Sequence, residues 1–167
     1  MQVNRQPPST QLAVAFGPDG TDPVGERLVD LADSLRDHGD PHVAIEVLDH
    51  TRVEFRLSMK VQVDPSYDPD VVLPAVRKAI GATYSFAGRD FGQPVVPSAV
   101  VAVAHGVTGV LAVDLDLLYT GATSELSDRL VAPAASVGLT GDAVAAGILV
   151  AAAGPFDDLD EMTVVLP

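Results

Sequence analysis

The chain has 167 residues, 47% of them hydrophobic and only 5% aromatic, with a formal net charge of −13 and no cysteine. That length suits one packed domain with an appendage and is short for two ordinary domains. The acid excess argues against nucleic acid and anionic membrane surfaces, since no surplus of Lys and Arg exists to displace counterions from phosphate, and the lack of cysteine excludes disulfides, thiolate metal sites and a cysteine nucleophile.

Residues 1–10 are polar and lack an apolar core, so they read as a flexible N-terminus and not as a secretory signal. Gln11 to Phe16 is a short apolar stretch ended by Gly17, Pro18, Asp19 and Gly20, which predicts a strand and a turn. A helix is expected next, with Asp22 as N-cap and Pro23 in the first position, where a missing N–H costs nothing. Leu28, Leu31, Ala32 and Leu35 form its inward stripe, and Gly39, Asp40 and Pro41 stop it. Val43, Ile45 and Val47 alternate with Ala44 and Glu46 as a second strand, and Asp49, His50 and Thr51 offer a tight turn into a third. Strands joined so closely are expected to pair antiparallel.

The third strand is the clearest element. Val53, Phe55, Leu57, Met59, Val61 and Val63 alternate strictly with Glu54, Arg56, Ser58, Lys60 and Gln62, the pattern of a sheet buried on one face. Asp64, Pro65, Ser66 and Tyr67 end it, and a helix from Pro69 to about Tyr84 follows, capped by Asp68, with Val72, Ala75, Val76, Ala79 and Ile80 inward. Pro74 sits past its first turn and should cost up to about 3 kcal/mol or bend it. Phe86 to Pro97 reads as an ordered loop, stiffened by Pro94 and Pro97. Ser98 is expected to cap a short helix through His105, with Gly106 ending it and Gly109 turning into a strand from Val110 to Leu117.

This order predicts an α+β fold of ferredoxin-like sandwich type over residues 11–119: an antiparallel sheet with helices on one face. Residues 120–167 shift to Ala, Gly, Ser, Thr and Val without a clear period and are read as a C-terminal arm or extension. Its apolar run, Ala143 to Ala153, is about half of the roughly 20 residues a membrane-spanning helix needs, so no span is expected. From Asp90 onward ten Asp and Glu face the single Arg129, a net of −9, which reads as a solvated acidic surface before it reads as a site for a basic partner.

Chemistry-bearing patterns are weak. His38 and His42 have metal-ligand spacing, but Gly39 and Pro41 between them break the helix that would align them. Asp114 and Asp116 share a strand face, which their alternation with Val113, Leu115 and Leu117 explains as solvated. Ser98, His105 and Asp114 lack the strained elbow of a hydrolase serine. Asp157, Asp158, Asp160 and Glu161 lack calcium-loop spacing, and Gly81, Gly88 and Gly92 are too dispersed to cradle phosphate. No catalytic residue, cofactor or metal ligand is assigned, and the chain is not expected to be an enzyme. Tyr67, Phe86 and Phe91 serve as core or loop anchors by default, or as aromatic anchors in an interface.

The stretch Arg52 to Tyr119 carries a distinctive succession: Val61, Gln62, Val63, Asp64, Pro65, Ser66, Tyr67, Asp68, Pro69; then Phe86, Ala87, Gly88, Arg89, Asp90, Phe91, Gly92, Gln93, Pro94; then Ser98 and Gly106, Val107, Thr108, Gly109, Val110. Asp40, Pro41 and His42 extend it upstream. In this order and spacing it resembles the baseplate J-like family, the baseplate assembly proteins of contractile phage tails and contractile injection systems. Members of that family are usually several times longer, with this pattern near their C-terminal end, so the resemblance implies a C-terminal portion, a split gene product or a shortened form. Pro74 stands where the family would have a helix former. The resemblance implies a structural wedge component that oligomerises with other baseplate proteins, the hub, spike and sheath-proximal parts. It also implies assembly in the cytoplasm and residence in a phage tail-like particle. The candidate interface or motif residues it marks are Asp64, Pro65, Tyr67, Pro69, Phe86, Phe91, Gly92, Gln93, Pro94 and Gly109. The alternative is a stand-alone ferredoxin-like domain that binds a small regulatory ligand.

Overall fold

A computed structural model describes residues 9–14, 24–39, 44–137 and 143–162. The chain divides into two compact units, one of Met1–Thr51 with Pro133–Gly147 and one of Arg52–Ala132 with Ile148–Pro167. Among the described residues no helix is long and apolar enough to cross a membrane.

In the first unit, β1 (Ser9–Val14) and β2 (Ala44–Asp49) pair in parallel, from Ser9 opposite Ala44 to Val14 opposite Asp49. Parallel neighbours need a crossover, and α1 (Val24–His38) supplies it. Ala32 is buried and Leu28, Leu31 and Leu35 are half-buried, while Asp30, Asp33 and Arg36 face water, so the inward stripe of α1 is the one its spacing predicts. The expected N-cap Asp22 with Pro23, the Gly17–Gly20 turn, the stop at Asp40 and Pro41, His42, and residues 1–8 of the N-terminus lie outside the described residues.

The expected antiparallel pairing of the second strand with the third does not form. β2 has β1 as its hydrogen-bonded partner, and β3 (Thr51–Val63) belongs to a different sheet. Tight sequence spacing does not by itself make a hairpin, since the chain can pass from one sheet into another at such a turn instead of reversing. A short antiparallel pair, β5 (Ser136–Val137) with β6 (Ala143–Val144), completes this unit.

The second unit is built on β3. Its neighbours are β4 (Val110–Thr120), antiparallel, and β7 (Gly147–Glu161), in the order β4-β3-β7. The sheet is therefore mixed, where a single antiparallel sheet was expected. The alternation of β3 holds: Phe55, Leu57, Met59 and Val61 are fully buried and Val63 nearly so, while Glu54 and Lys60 are exposed. Ser58 departs from it, being buried on the polar face.

On the apolar face lie α2 (Pro69–Thr83) and α3 (Pro97–His105). Val72, Val76 and Ile80 of α2 and Val100 and Ala104 of α3 share one core with β3. The cap of α2 is as expected: Asp68 accepts from the Asp70 N–H at 3.0 Å, and Pro69 occupies the first position. The helix carries Pro74 through its interior. Tyr84 closes it and meets Phe55 edge-on, ring centroids 5.3 Å apart. At α3 the expectation is corrected. Val96 is the N-cap and Pro97 the first residue, leaving Ser98 exposed inside the first turn, because proline's fixed φ favours the first helical position.

The stretch expected to be an arm instead supplies structure. Leu130, Ala132, Leu149, Phe156 and Leu159 enter the same core, and the Met162 N–H donates to the Val61 carbonyl at 2.8 Å. Val95 and Leu130 exchange two backbone hydrogen bonds, of 3.0 and 2.8 Å. Segment 125–127 bonds to Leu118 along β4 and covers that edge. No period was legible because Ile148, Leu149 and Val150 are buried in succession, after which Gly154, with φ +72°, breaks the alternation of β7.

Candidate functional site

The first group of motif residues converges. Where β3 ends, Asp64 accepts from the Ser66 N–H at 2.8 Å, and the Tyr67 N–H donates to the Asp64 carbonyl at 2.9 Å, so the chain reverses tightly into the Asp68 cap. From the other side the Asp64 N–H donates to the Gly109 carbonyl at 2.8 Å. Gly109 has φ +94°, and a β-carbon there would lie 2.9 Å from Tyr67 Cγ and 3.0 Å from Val72 Cγ2. Only glycine meets both demands, the backbone angle and the close approach. Asp64, Pro65, Tyr67, Pro69 and Gly109 are thus one structural feature, assembled from segments over forty residues apart.

That feature walls a groove of about 500 Å³, lined by Ser66, Tyr67, Asp68, Val71, Val72, Ala75, Val107 and Thr108. Its apolar rim is open to solvent: Val71 is 67% exposed and Tyr67 46%. Sequence reasoning named Tyr67 as a candidate, quoted Val107 and Thr108 as part of the motif without naming them as interface residues, and missed Val71. Val71 left a signal, since it stands outside the stripe of Val72, Val76 and Ile80 that the core consumes.

The second group, Phe86, Phe91, Gly92, Gln93 and Pro94, lies beyond the far end of α2. Fifteen helical residues span about 22 Å, so the two groups do not form one site. This loop is organised by Arg89, which sequence reasoning did not select. Its guanidinium donates to the carbonyls of Gln93 at 2.6 Å, Pro94 at 3.0 Å and Leu149 at 3.2 Å, and lies 5.3 Å from the centre of the Tyr84 ring. Burial pulls the pKa of Arg89 down and pushes that of Tyr84 up. Gly92, at φ +67°, turns the chain so that Gln93 can donate back to the Asp90 carbonyl. A lone Arg between glycines was the available signal.

The polar face of the sheet carries ion pairs. Arg56 on β3 donates to Asp157 on β7 at 2.5 Å, and the Tyr119 hydroxyl on β4 donates to the other oxygen of the same carboxylate. The Tyr119 and Arg56 hydrogen bonds hold the Asp157 carboxyl below the usual range. Lys60 lies opposite Asp114 and 3.2 Å from Asp116, its pKa raised by the Asp116 carboxylate. Asp116 stands at a break in register between Ser58 and Met59, an extra residue on β4 that places it beside Lys60. Asp157, read as part of a solvated acidic cluster, is instead a cross-strand partner.

The remaining patterns do not gather into sites. His105 Nε2 lies 3.2 Å from the Leu111 carbonyl, and no hydrogen bond joins it to Ser98 or Asp114. His38 Nδ1 lies 2.9 Å from the Ser34 carbonyl. Among the described residues no group of three His, Cys, Asp or Glu side chains could hold a metal ion. No protein-family model matches the sequence, and no curated protein matches it.

Proposed function

We propose that this chain is a structural baseplate component, a wedge protein of a contractile phage tail or phage tail-like contractile injection system, acting through protein–protein assembly. The observation that carries the reading is the locking of the Asp64–Pro69 turn against Gly109. Residues that define the family resemblance, far apart in sequence, meet at one rigid surface feature with exposed apolar side chains. With it goes a narrower fold reading, the ferredoxin-like sandwich, which the antiparallel β3/β4 pair sharing its core with α2 and α3 supports and the separate β1/β2 pair does not. The chain would assemble in the cytoplasm and then reside in the particle with its wedge, hub and spike partners.

The test is co-purification. A tagged full chain expressed in its native host should sediment with sheath, tube and spike proteins, and particles lacking it should be incomplete at the baseplate. The second reading, a domain that binds a small regulatory ligand, draws on the groove of about 500 Å³. A metabolite that raises the melting temperature by several degrees, with no tail-like proteins co-purifying, would establish it and overturn the baseplate reading.

A further inference from the structure

The groove beside Tyr67 combines two properties that together describe its occupant. Its floor and rim are apolar, from Tyr67, Val71, Val72, Ala75 and Val107, and two of these side chains remain open to solvent. Of its lining residues Asp68 alone carries a charge. Around it in the chain stand Asp64 and Asp70, residues 105–109 add only His105, and the first cations on α2 are Arg77 and Lys78, past Ala75. Asp64 and Asp68 each spend one oxygen on a backbone N–H, Asp70 is exposed in the first turn of α2, and no cation pairs with any of the three among the described residues. Asp68 thus sets a carboxylate with one free oxygen in the wall of an exposed apolar cleft.

We propose that this groove docks a protein segment in which an aliphatic side chain is flanked by Lys or Arg. The aliphatic group enters between Tyr67 and Val71, and a flanking cation reaches the free carboxylate oxygen of Asp68. A second copy of this chain is a poor occupant, because the net charge of −13 sets the two copies against each other. A small anionic ligand is disfavoured by the same rim. Gly109 matters because a β-carbon there would press on Tyr67, so glycine lets this wall of the groove approach the turn. The inference rests on reading this site as an assembly surface but does not require a contractile particle.

The experiment uses the isotope-labelled full chain and two synthetic peptides with cores Lys-Leu-Leu-Lys and Glu-Leu-Leu-Glu. The basic peptide should shift the amide resonances of Tyr67, Val71, Val72 and Val107 saturably, and the shifts should weaken as salt is raised. The acidic peptide should leave them in place. Val71→Glu, a fully solvent-compatible change, should weaken the basic peptide about tenfold or more, whereas Val131→Ser, at another exposed apolar position, should not. Equal shifts with both peptides, shifts centred on the acidic sheet face around Asp114, or groove shifts that grow with protein concentration without peptide would each overturn the proposal. Failure here leaves the co-purification result untouched, so the chemistry of the groove and membership of a particle are judged separately.

Discussion

Replacing Gly109 by alanine probes the joint on which the functional reading stands. The backbone there has φ +94°, and an L residue in left-handed territory costs about 1–2 kcal/mol. The new methyl would meet Tyr67 Cγ at 2.9 Å and Val72 Cγ2 at 3.0 Å. Overpacking costs about 1–3 kcal/mol. Tyr67 is half exposed and can swing away while buried Val72 cannot, which places the steric part near the low end. Restricting the unfolded chain returns about 0.4–1 kcal/mol. The net is a loss of about 2 kcal/mol. Gly121→Ala isolates the angular part, because Gly121 has φ +77° with open space around it; about 1 kcal/mol is expected there. The three tyrosines, Tyr67, Tyr84 and Tyr119, all lie in the second unit, so urea unfolding followed by near-UV circular dichroism reports that unit. Tyr67→Ala should relieve the clash, making the double variant less destabilised than the sum of the singles. Equal losses for the Gly109 and Gly121 variants, or strict additivity with Tyr67→Ala, would refute the proposed contact.

Asp157 has a lowered folded-state pKa from its bonds to Tyr119 and Arg56, so its contribution is present above the unfolded value of about 4 and is lost as pH falls through the lower folded value. The urea midpoint of the wild type should therefore drop more steeply below about pH 4 than that of Asp157→Asn. Arg89→Ala should cost about 1–3 kcal/mol and speed amide exchange at Gln93 and Val95; Arg89→Lys should recover only part, because an ammonium cannot reach three carbonyls as the planar fork does. Pro74→Ala should stabilise by about 1–2 kcal/mol by restoring the hydrogen bond that proline denies to the Asp70 carbonyl. Ending the chain after Thr120 should abolish the cooperative tyrosine transition, since five core side chains, Leu130, Ala132, Leu149, Phe156 and Leu159, would be lost.

Local periodicity determined much of this protein without help from tertiary structure. The alternation of Val53 to Val63 specified a strand and its buried face, because side chains on a strand have no choice but to point to opposite sides. The stripes of α1 and α2, the Asp68 cap and the turn at Asp64 were legible for the same reason, each being decided within a few residues. Pairing is different in kind. Whether β2 joins β3 or β1 depends on a crossover that sequence spacing does not encode, and β7 could be placed only once the core revealed the apolar surface it covers. The candidate site divides along the same line. Tyr67 and Gly109 could be named from the sequence, but their contact, the groove beside them, the three carbonyls gathered by Arg89 and the shared carboxylate of Asp157 join residues far apart in the chain. Such partnerships arise from packing, because each half is satisfied equally well by water until the fold brings the other half within reach.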